Sequence, residues 1–291
     1  MEEVTVVDVI LNPIAGKGRS LQAFETVKRI FAKKNIAYTL HETTCRGDSS
    51  RILQELAGKA TDILAMGGDG TFHEIINGFV DFNCNLALLP CGTGNDFSAS
   101  LGIPEDPEAA LSFLTEGKPQ FVDFFETPFC RGLNAIGAGM DVDVMYRYNK
   151  HKNHTKGTYL RSLISSLVHY KPYRFTVTVD GKTASHRCFI VAVGNGRRIG
   201  GGIPMCPAAN PFDGKLDVVI VNHIKKIVIP FAFMKLMKGK ILTLKKTEFV
   251  RTEEVKVQSE TPITVQVDGE LYEDVDFTVR VVRDKLKIYR I

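Results

Sequence analysis

Apolar and polar positions follow two different rhythms along the 291-residue chain. Up to Pro119, apolar or β-branched runs at Val4–Leu11, Ile36–His41, Ile63–Met66 and Leu86–Leu89 read as strands. Between them, Leu21–Lys33, Ser49–Ala57 and the segment reaching Phe79 carry apolar residues at helical spacing, with Phe72, Ile75, Ile76 and Phe79 on one face. Strand and helix in alternation predict a parallel sheet with helices on both faces. Ligands of such sheets bind at the C-terminal strand ends. The loops Asn12–Gly18, Gly67–Thr71 and Gly92–Asp96 are therefore expected on one rim.

Beyond Pro119 strand patterns dominate: Phe121–Phe125, Arg131–Ile136, Phe175–Val179, Arg187–Val193, Leu216–Val221, Val255–Gln258, Ile263–Val267, Phe277–Val282 and Lys285–Arg290. "VDGK" at 179–182 and "VRDK" at 282–285 read as hairpin turns. Two helical segments, Thr158–Val168 and Lys226–Met237, interrupt this half. The expected architecture is α/β: an N-terminal parallel-sheet domain over 1–122, then an antiparallel β-sandwich domain over 123–291.

Composition adds modest constraints. The chain is 44% hydrophobic and 24% charged, as in ordinary globular proteins. No apolar run approaches the ~20 residues that span a bilayer, and the start lacks a basic, apolar signal pattern, so a cytoplasmic location is expected. Six cysteines show no metal-like spacing and read as reduced, mostly buried thiols. A net charge of +4 is too small to indicate nucleic acid, and none is expected as a partner. The charge is unevenly spread, however. Arg147–Arg174 and His223–Lys246 each hold seven Lys/Arg and no acid, whereas acids gather around Glu253, Glu254, Asp268, Glu270, Glu273, Asp274 and Asp276.

The chemistry concentrates in the glycine-rich turns. In "MGGDGTFHEIINGF" (66–79), Gly67, Gly68 and Gly70 sit between a strand and a helix, where glycine allows unusual backbone angles and close approach of a ligand. Amides at a helix N-terminus favour phosphate. "NPIAGKG" (12–18) lacks P-loop spacing, and "GAGMD" (137–141) does not satisfy a dinucleotide fingerprint. Three Gly/Thr/Asn-rich turns at matching strand ends nevertheless point to a nucleotide phosphate site. Glu74 and Asn77 read as braces for neighbouring loops. His73 reads as exposed, without a catalytic part.

"NPIAGKG", "GGDGTFHEIING", "LPCGTGNDFS", "PMCPAANPFDGKLDVVIV" and "VQVDGE", in this order over nearly the whole chain, resemble the soluble diacylglycerol kinase and lipid kinase family, which includes sphingosine and ceramide kinases. The resemblance implies ATP in a cleft between an N-terminal α/β nucleotide domain and a C-terminal β-sandwich. It implies nucleotide contacts at Asn12, Pro13, Ala15 and Gly16, at Thr43, at Gly67, Gly68, Asp69, Gly70 and Thr71, and at Thr93 and Asn95. It also implies an Mg²⁺-organising acid at Asp213 with the carbonyls of Asn210 and Lys215, a general base at Glu270 and an adjoining acid at Asp268.

Phosphoryl transfer needs bound donor phosphates, a divalent cation and an aligned acceptor oxygen. Asp69 suits the cation, because a carboxylate among phosphate-binding amides is costly unless a cation or hydroxyl answers it. Glu270 suits a base for an alcohol. Between Asp69 and Glu270 the proton acceptor stays open, and "VDGE" and the Asp213–Gly214 pair are also ordinary turn chemistry. The leading function is an ATP- and Mg²⁺-dependent kinase for a lipid alcohol such as diacylglycerol. The alternatives are an NAD kinase-like enzyme with a soluble acceptor and a non-catalytic nucleotide sensor.

The segment 158–168 places Leu160, Leu163, Ile164, Leu167 and Val168 on one face, with Lys156 and Arg161 elsewhere. "IVIPFAFMKLMKGK" (227–240) is apolar, then basic. One or both segments are expected to touch an anionic membrane surface transiently. A homodimer is compatible with these features and demanded by none.

Overall fold

In a computed structural model of the chain, residues 6–151, 156–273 and 275–291 are described. Val4, at the start of the first expected strand, and Asp274 of the acidic group lie outside them, as do the side chains of Lys156, Leu160 and Leu163 on the expected helix face.

The first half alternates as its pattern predicts. β1 (Val6–Leu11), α1 (Arg19–Lys34), β2 (Ala37–Glu42), α2 (Asp48–Leu56), β3 (Asp62–Gly67), α3 (Asp69–Gly78) and β4 (Asn85–Pro90) follow one another, and α4 (Asp96–Ser100) and α5 (Pro107–Glu116) complete the set. The strands pair in parallel in the order β4-β3-β1-β2, with Val9 opposite Leu40 and Leu64 and with Leu64 opposite Ala87. Both faces of β3 are buried, which is why its sequence is apolar throughout rather than alternating. Val9, Phe31, Ile63, Phe72, Ile75 and Leu88 belong to the core on which the helices pack.

β5 (Lys118–Glu126), β6 (Arg131–Gly132), β7 (Ala135–Gly139), α6 (Met140–Asn149), α7 (Lys156–His169), β8 (Tyr173–Val179), β9 (Lys182–Gly194) and β10 (Leu216–Asn222) carry the chain into the second half. After α8 (Ile229–Met237) come β11 (Thr247–Thr252), β12 (Glu254–Ser259), β13 (Val265–Val267), β14 (Glu270–Tyr272) and β15 (Phe277–Arg290). The long β9 belongs to both layers of the sandwich. Its first half pairs with β8, and its second half pairs with β7 on that edge and with β10 on the other. β8 leads to β12 and β15, and β7 leads to β13 and β14. Phe175, Val177, Val193, Val218, Val257 and Phe277 help to form the core of this half. A separate core lies outside β9 and β10, under α6 and α8.

One expected turn is corrected. "VDGK" does close a hairpin, with Asp180 and Gly181 at φ 48° and 74° between β8 and β9. "VRDK" does not: β15 runs through it as one strand, and its antiparallel pairing with β5 shifts register between Val282 and Leu286. Asp284, at φ 56°, forms a bulge there, the other use to which such a residue is put. Beyond the bulge β15 pairs in parallel with β4, Ile288 opposite Leu86, and Leu286 and Ile288 enter the first core. The end of the chain thus ties the two halves together.

All six cysteines are free, four of them buried. Among the described residues, no helix is long and apolar enough to cross a membrane.

Candidate active site

The loops after β1, β3 and β4 meet on one rim, as the alternation predicts, and they are bonded to one another. Asn12 Nδ2 donates to Thr71 Oγ1 at 3.0 Å, and the N–H of Cys91 donates to the carbonyl of Gly67 at 2.6 Å. The N–H of Thr43 donates to the carbonyl of Leu11 at 2.9 Å, which sets the loop after β2 beside them. The glycines of the central turn serve close approach rather than unusual angles. Gly68 is extended, at φ −110° and ψ −169°, and a Cβ on it would lie 2.8 Å from Gly92 Cα. A Cβ on Gly67 would lie 2.3 Å from Thr71 Oγ1. The two phosphate-type turns therefore touch backbone to backbone.

This rim walls an open groove. Asn12, Pro13, Ala15 and Gly16 line it, with Thr43. Gly68, Asp69, Gly70, Thr71 and Thr93 line it as well. The remaining two residues of the expected nucleotide set stand behind the wall. Gly67 ends β3, and Asn95, 2% exposed at φ 53°, donates from Nδ2 to the carbonyl of Gly92 at 3.0 Å. The N-terminus of α3 opens at Asp69, so its free amides and positive dipole end face this region.

Across a cleft stands the β13–β14 hairpin, whose turn residues Asp268 and Gly269 take φ 50° and 96°. Glu270 lines both the cleft and the groove. Its Oε1 lies 3.8 Å from where a Cβ on Gly70 would be, and its other oxygen is paired with Arg46. Asp268 is a clasp. Its oxygens accept the N–H groups of Leu133, Asn134 and Ala135 at 2.7, 2.9 and 2.9 Å, and Oδ2 also lies 3.4 Å from His73 Nδ1. His73 is buried, at 5% exposure, which corrects the expectation that it is exposed; its Nε2 meets Tyr272 Oη at 2.9 Å. Glu74 and Asn77 brace loops as expected. Glu74 accepts the N–H of Gly47 at 2.8 Å, and Asn77 Oδ1 accepts that of Arg131 at 2.8 Å.

Two further acids share the cleft. Burial, then the neighbouring Asp96, pushes Asp69 up to about 6, although Phe97 donates an N–H to its Oδ1 at 3.3 Å. Burial also raises Asp96, whose Oδ2 accepts the N–H of Gly201 at 2.7 Å while Oδ1 has no partner among the described residues. Two crowded carboxylates with an orphan oxygen suit a divalent cation that brings phosphate ligands of its own. Among the described residues, no three His, Cys, Asp or Glu side chains gather to hold a metal by themselves. Asp213, Asn210 and Lys215 are not brought to the cleft. They form the turn before β10, where Asp213 Oδ1 accepts the N–H of Lys215 at 3.1 Å, the N–H of Asp213 donates to Asn210 O at 3.4 Å, and Lys215 Nζ pairs with Glu253 at 2.8 Å.

Residues 7–127 match the family described as "Diacylglycerol kinase catalytic domain", and residues 134–290 match "YegS C-terminal NAD kinase beta sandwich-like domain". The chain belongs to the diacylglycerol kinase family of lipid kinases. A "Probable lipid kinase YegS-like" of Pseudomonas putida is 31% identical over 77% of this chain and 75% of its own length. The "Diacylglycerol kinase" of Bacillus subtilis is 26% identical over 90% of this chain and 88% of its own. The crystal structure of a diacylglycerol kinase from Bacillus anthracis str. Sterne superposes with a TM-score of 0.76 at 22% identity, covering 100% of this chain and 98% of that one. A second solved structure from the same organism gives 0.83 at 24% identity over 100% and 96%. The protein is therefore a kinase, and its fold is that of the family.

Several residues of this kinase's cleft were not singled out by motif reading. Asp96 stood inside a recognised motif without a part assigned to it. Gly200, Gly201 and Gly202, at φ 61°, 82° and 108°, shape the loop facing Asp96, and a run of three glycines was a visible signal. Arg46 and Gln266 had none, because nothing local marks an arginine or a glutamine as facing a cleft.

Proposed function

We propose that the protein transfers the γ-phosphate of ATP, with Mg²⁺, to the hydroxyl of a lipid alcohol, with diacylglycerol as acceptor and phosphatidic acid as product. One observation carries the lipid acceptor. The polar cleft that holds Asp69 and Glu270 shares Ile199, Gly200 and Gln266 with an adjoining cavity whose wall is almost wholly apolar, including Met140, Val144, Phe189, Ile229, Phe233 and Leu236. A soluble acceptor has no use for such a wall.

In this reading the bare amides of the glycine turns and the start of α3 hold the phosphates in the groove. Asp69 is the carboxylate that answers the cation, with Asp96 beside it. A bound Mg²⁺ supplies charge neutralisation of the phosphates. Glu270 takes the proton of the acceptor hydroxyl, a contribution of about 10²- to 10⁴-fold. Asp268 holds the hairpin so that Glu270 faces Gly70. A cation at Asp213, with the carbonyls of Asn210 and Lys215, belongs to this reading as a brace for the turn before β10.

The outer side of α8 suits an anionic bilayer. Ile227, just before it, is 86% exposed, Phe231, Met234 and Met237 are 49%, 47% and 50% exposed, and Ile164 and Val168 of α7 are 53% and 60% exposed. Lys226 Nζ joins the two segments by donating to the carbonyl of Val168 at 2.6 Å. Seven lysines and no acid lie between His223 and Lys246. Each basic group near an anionic surface contributes about 1 kcal/mol. The inner side of the same helix lines the apolar cavity, so a lipid would pass from bilayer to cleft beside one element, and the enzyme would associate with the membrane transiently.

The test is product chromatography after incubation with γ-labelled ATP, Mg²⁺ and mixed micelles carrying diacylglycerol, a sphingoid base, ceramide or a polyprenol. Labelled phosphatidic acid made by the wild type and not by Glu270→Gln supports the reading. Label in no lipid, with ATP still bound, overturns it in favour of a soluble acceptor or a nucleotide sensor.

A further inference from the structure

Where the polar cleft meets the apolar cavity, two buried polar groups face each other without a hydrogen bond of good geometry between them. Gln266, 3% exposed on β13, lines both spaces. Its Oε1 accepts the N–H of Gly269 at 3.0 Å, while its Nε2 faces Asp141 and makes no hydrogen bond of good geometry among the described residues. Asp141, in the first turn of α6, lines the cavity with both carboxylate oxygens buried; the Gln266 amide and the N–H groups at the start of α6 lie beside them, but none forms a hydrogen bond of good geometry among the described residues. The two converge over Gly137, where a Cβ would lie 2.0 Å from Asp141 Oδ2 and 3.1 Å from Gln266 Nε2. Glycine at 137 makes the room that both side chains occupy. A buried polar group left unpaired costs about 1–3 kcal/mol, more when charged. The neighbouring wall of Met140, Val144, Ile190 and Met205 offers no side-chain partner.

On the lipid-kinase reading above, we infer that Asp141 and Gln266 recognise the carbonyl-bearing linkage between the head of the acceptor and its chains, and so select acyl esters over ethers. With the hydroxyl beside Glu270 and the chains in the cavity, the linkage is the part of the lipid that occupies the neck. Gln266 Nε2 donates to one carbonyl oxygen. Burial pushes Asp141 up to about 7, and the further loss of water on lipid entry favours its neutral form, which donates to a second acceptor. An ether oxygen leaves these donors poorly matched. Sites built to hydrogen-bond a group reject analogues that lack it far more strongly than apolar pockets reject a change of size.

The experiment compares dioleoylglycerol with the dioleyl diether of glycerol, which has the same free hydroxyl and equal chains, in mixed micelles with γ-labelled ATP. The wild type is expected to use the diester at least about tenfold better in kcat/KM. The ratio falls towards one in Asp141→Leu and in Gln266→Leu, and it persists in Asp141→Asn, whose amide still donates. Equal use of both lipids by the wild type overturns this inference and leaves the lipid-kinase reading standing. A diester preference that survives in both leucine variants also overturns it. Label in neither lipid overturns both readings.

Discussion

The carboxylate of Asp268 accepts the backbone N–H of Leu133 at 2.7 Å, across the sequence from the β13–β14 turn to the segment that enters the second half of the chain. With Asn134 and Ala135 also donating to it, one buried side chain fixes the start of β7 against the hairpin that presents Glu270. Asp268→Ala leaves these donors unsatisfied and is expected to cost about 3 kcal/mol or more. Urea unfolding should show a lowered midpoint, with activity falling alongside. Asp268→Asn, which keeps one acceptor oxygen, should fall between the two.

Asp69 gives a stability effect with a definite sign. Burial raises its pKa from 3.8 to about 6, so the folded protein holds this proton more tightly than the unfolded chain. The contribution is complete below about pH 3 and is lost as pH rises to about 6. Asp69→Asn cannot ionise. In the absence of nucleotide it should be more stable than the wild type by about 3 kcal/mol at pH 8 and nearly equal to it at about pH 3. Unfolding by urea at the two pH values reads this directly, and the same variant should be inactive.

Contact between the glycine turns makes Gly68→Ala severe without any conflict in backbone angle. The added methyl would meet Gly92 Cα at 2.8 Å, backbone against backbone, and neither turn can yield without moving the groove. A stability loss of about 1–3 kcal/mol is expected, together with weaker ATP binding by calorimetry. Gly18→Ala is the control, because among the described residues nothing beyond its chain neighbours lies within 4 Å of its Cβ position, although its φ of 88° keeps some strain.

The α8 surface is tested by sedimentation with vesicles. Wild-type protein should bind phosphatidylglycerol vesicles at low salt and release from them at high salt. A Phe231→Ser/Met234→Ser double variant should bind about thirtyfold more weakly, since both side chains are near half exposed and each apolar contact with the bilayer contributes on the order of 1 kcal/mol. Phosphorylation of a short-chain, water-dispersed diacylglycerol should be unchanged. Equal binding of both proteins to anionic vesicles would remove the surface from the reading.

The two rhythms of apolar residues determined most of the fold. Period-two and period-3.6 patterns are local consequences of which face is buried, so β1–β4 and their helices could be located before any tertiary contact was known. The rim was legible for the same reason, because parallel strands joined by helices must all end on one side. "VDGK" and "VRDK" show the limit. Each offers an aspartate with positive φ, and only the partner strand β5, running alongside both halves of β15, decides that the second is a bulge.

His73 shows the same limit at the site. Its burial follows from Tyr272, 199 positions away, packing over α3, and no window of sequence around His73 contains that fact. Asp96, Arg46, Asp141 and Gln266 likewise acquire their surroundings from strands and loops distant in the chain. Sequence determined what depends on neighbours within a turn or a strand: the elements, the glycine turns and the family motifs. Tertiary structure alone decided what depends on groups brought together from far apart: which carboxylates are crowded and desolvated, which donors are left unpaired, and where a polar cleft opens into an apolar cavity. Burial and electrostatic coupling are properties of an assembled neighbourhood, and the chain makes that neighbourhood only by folding.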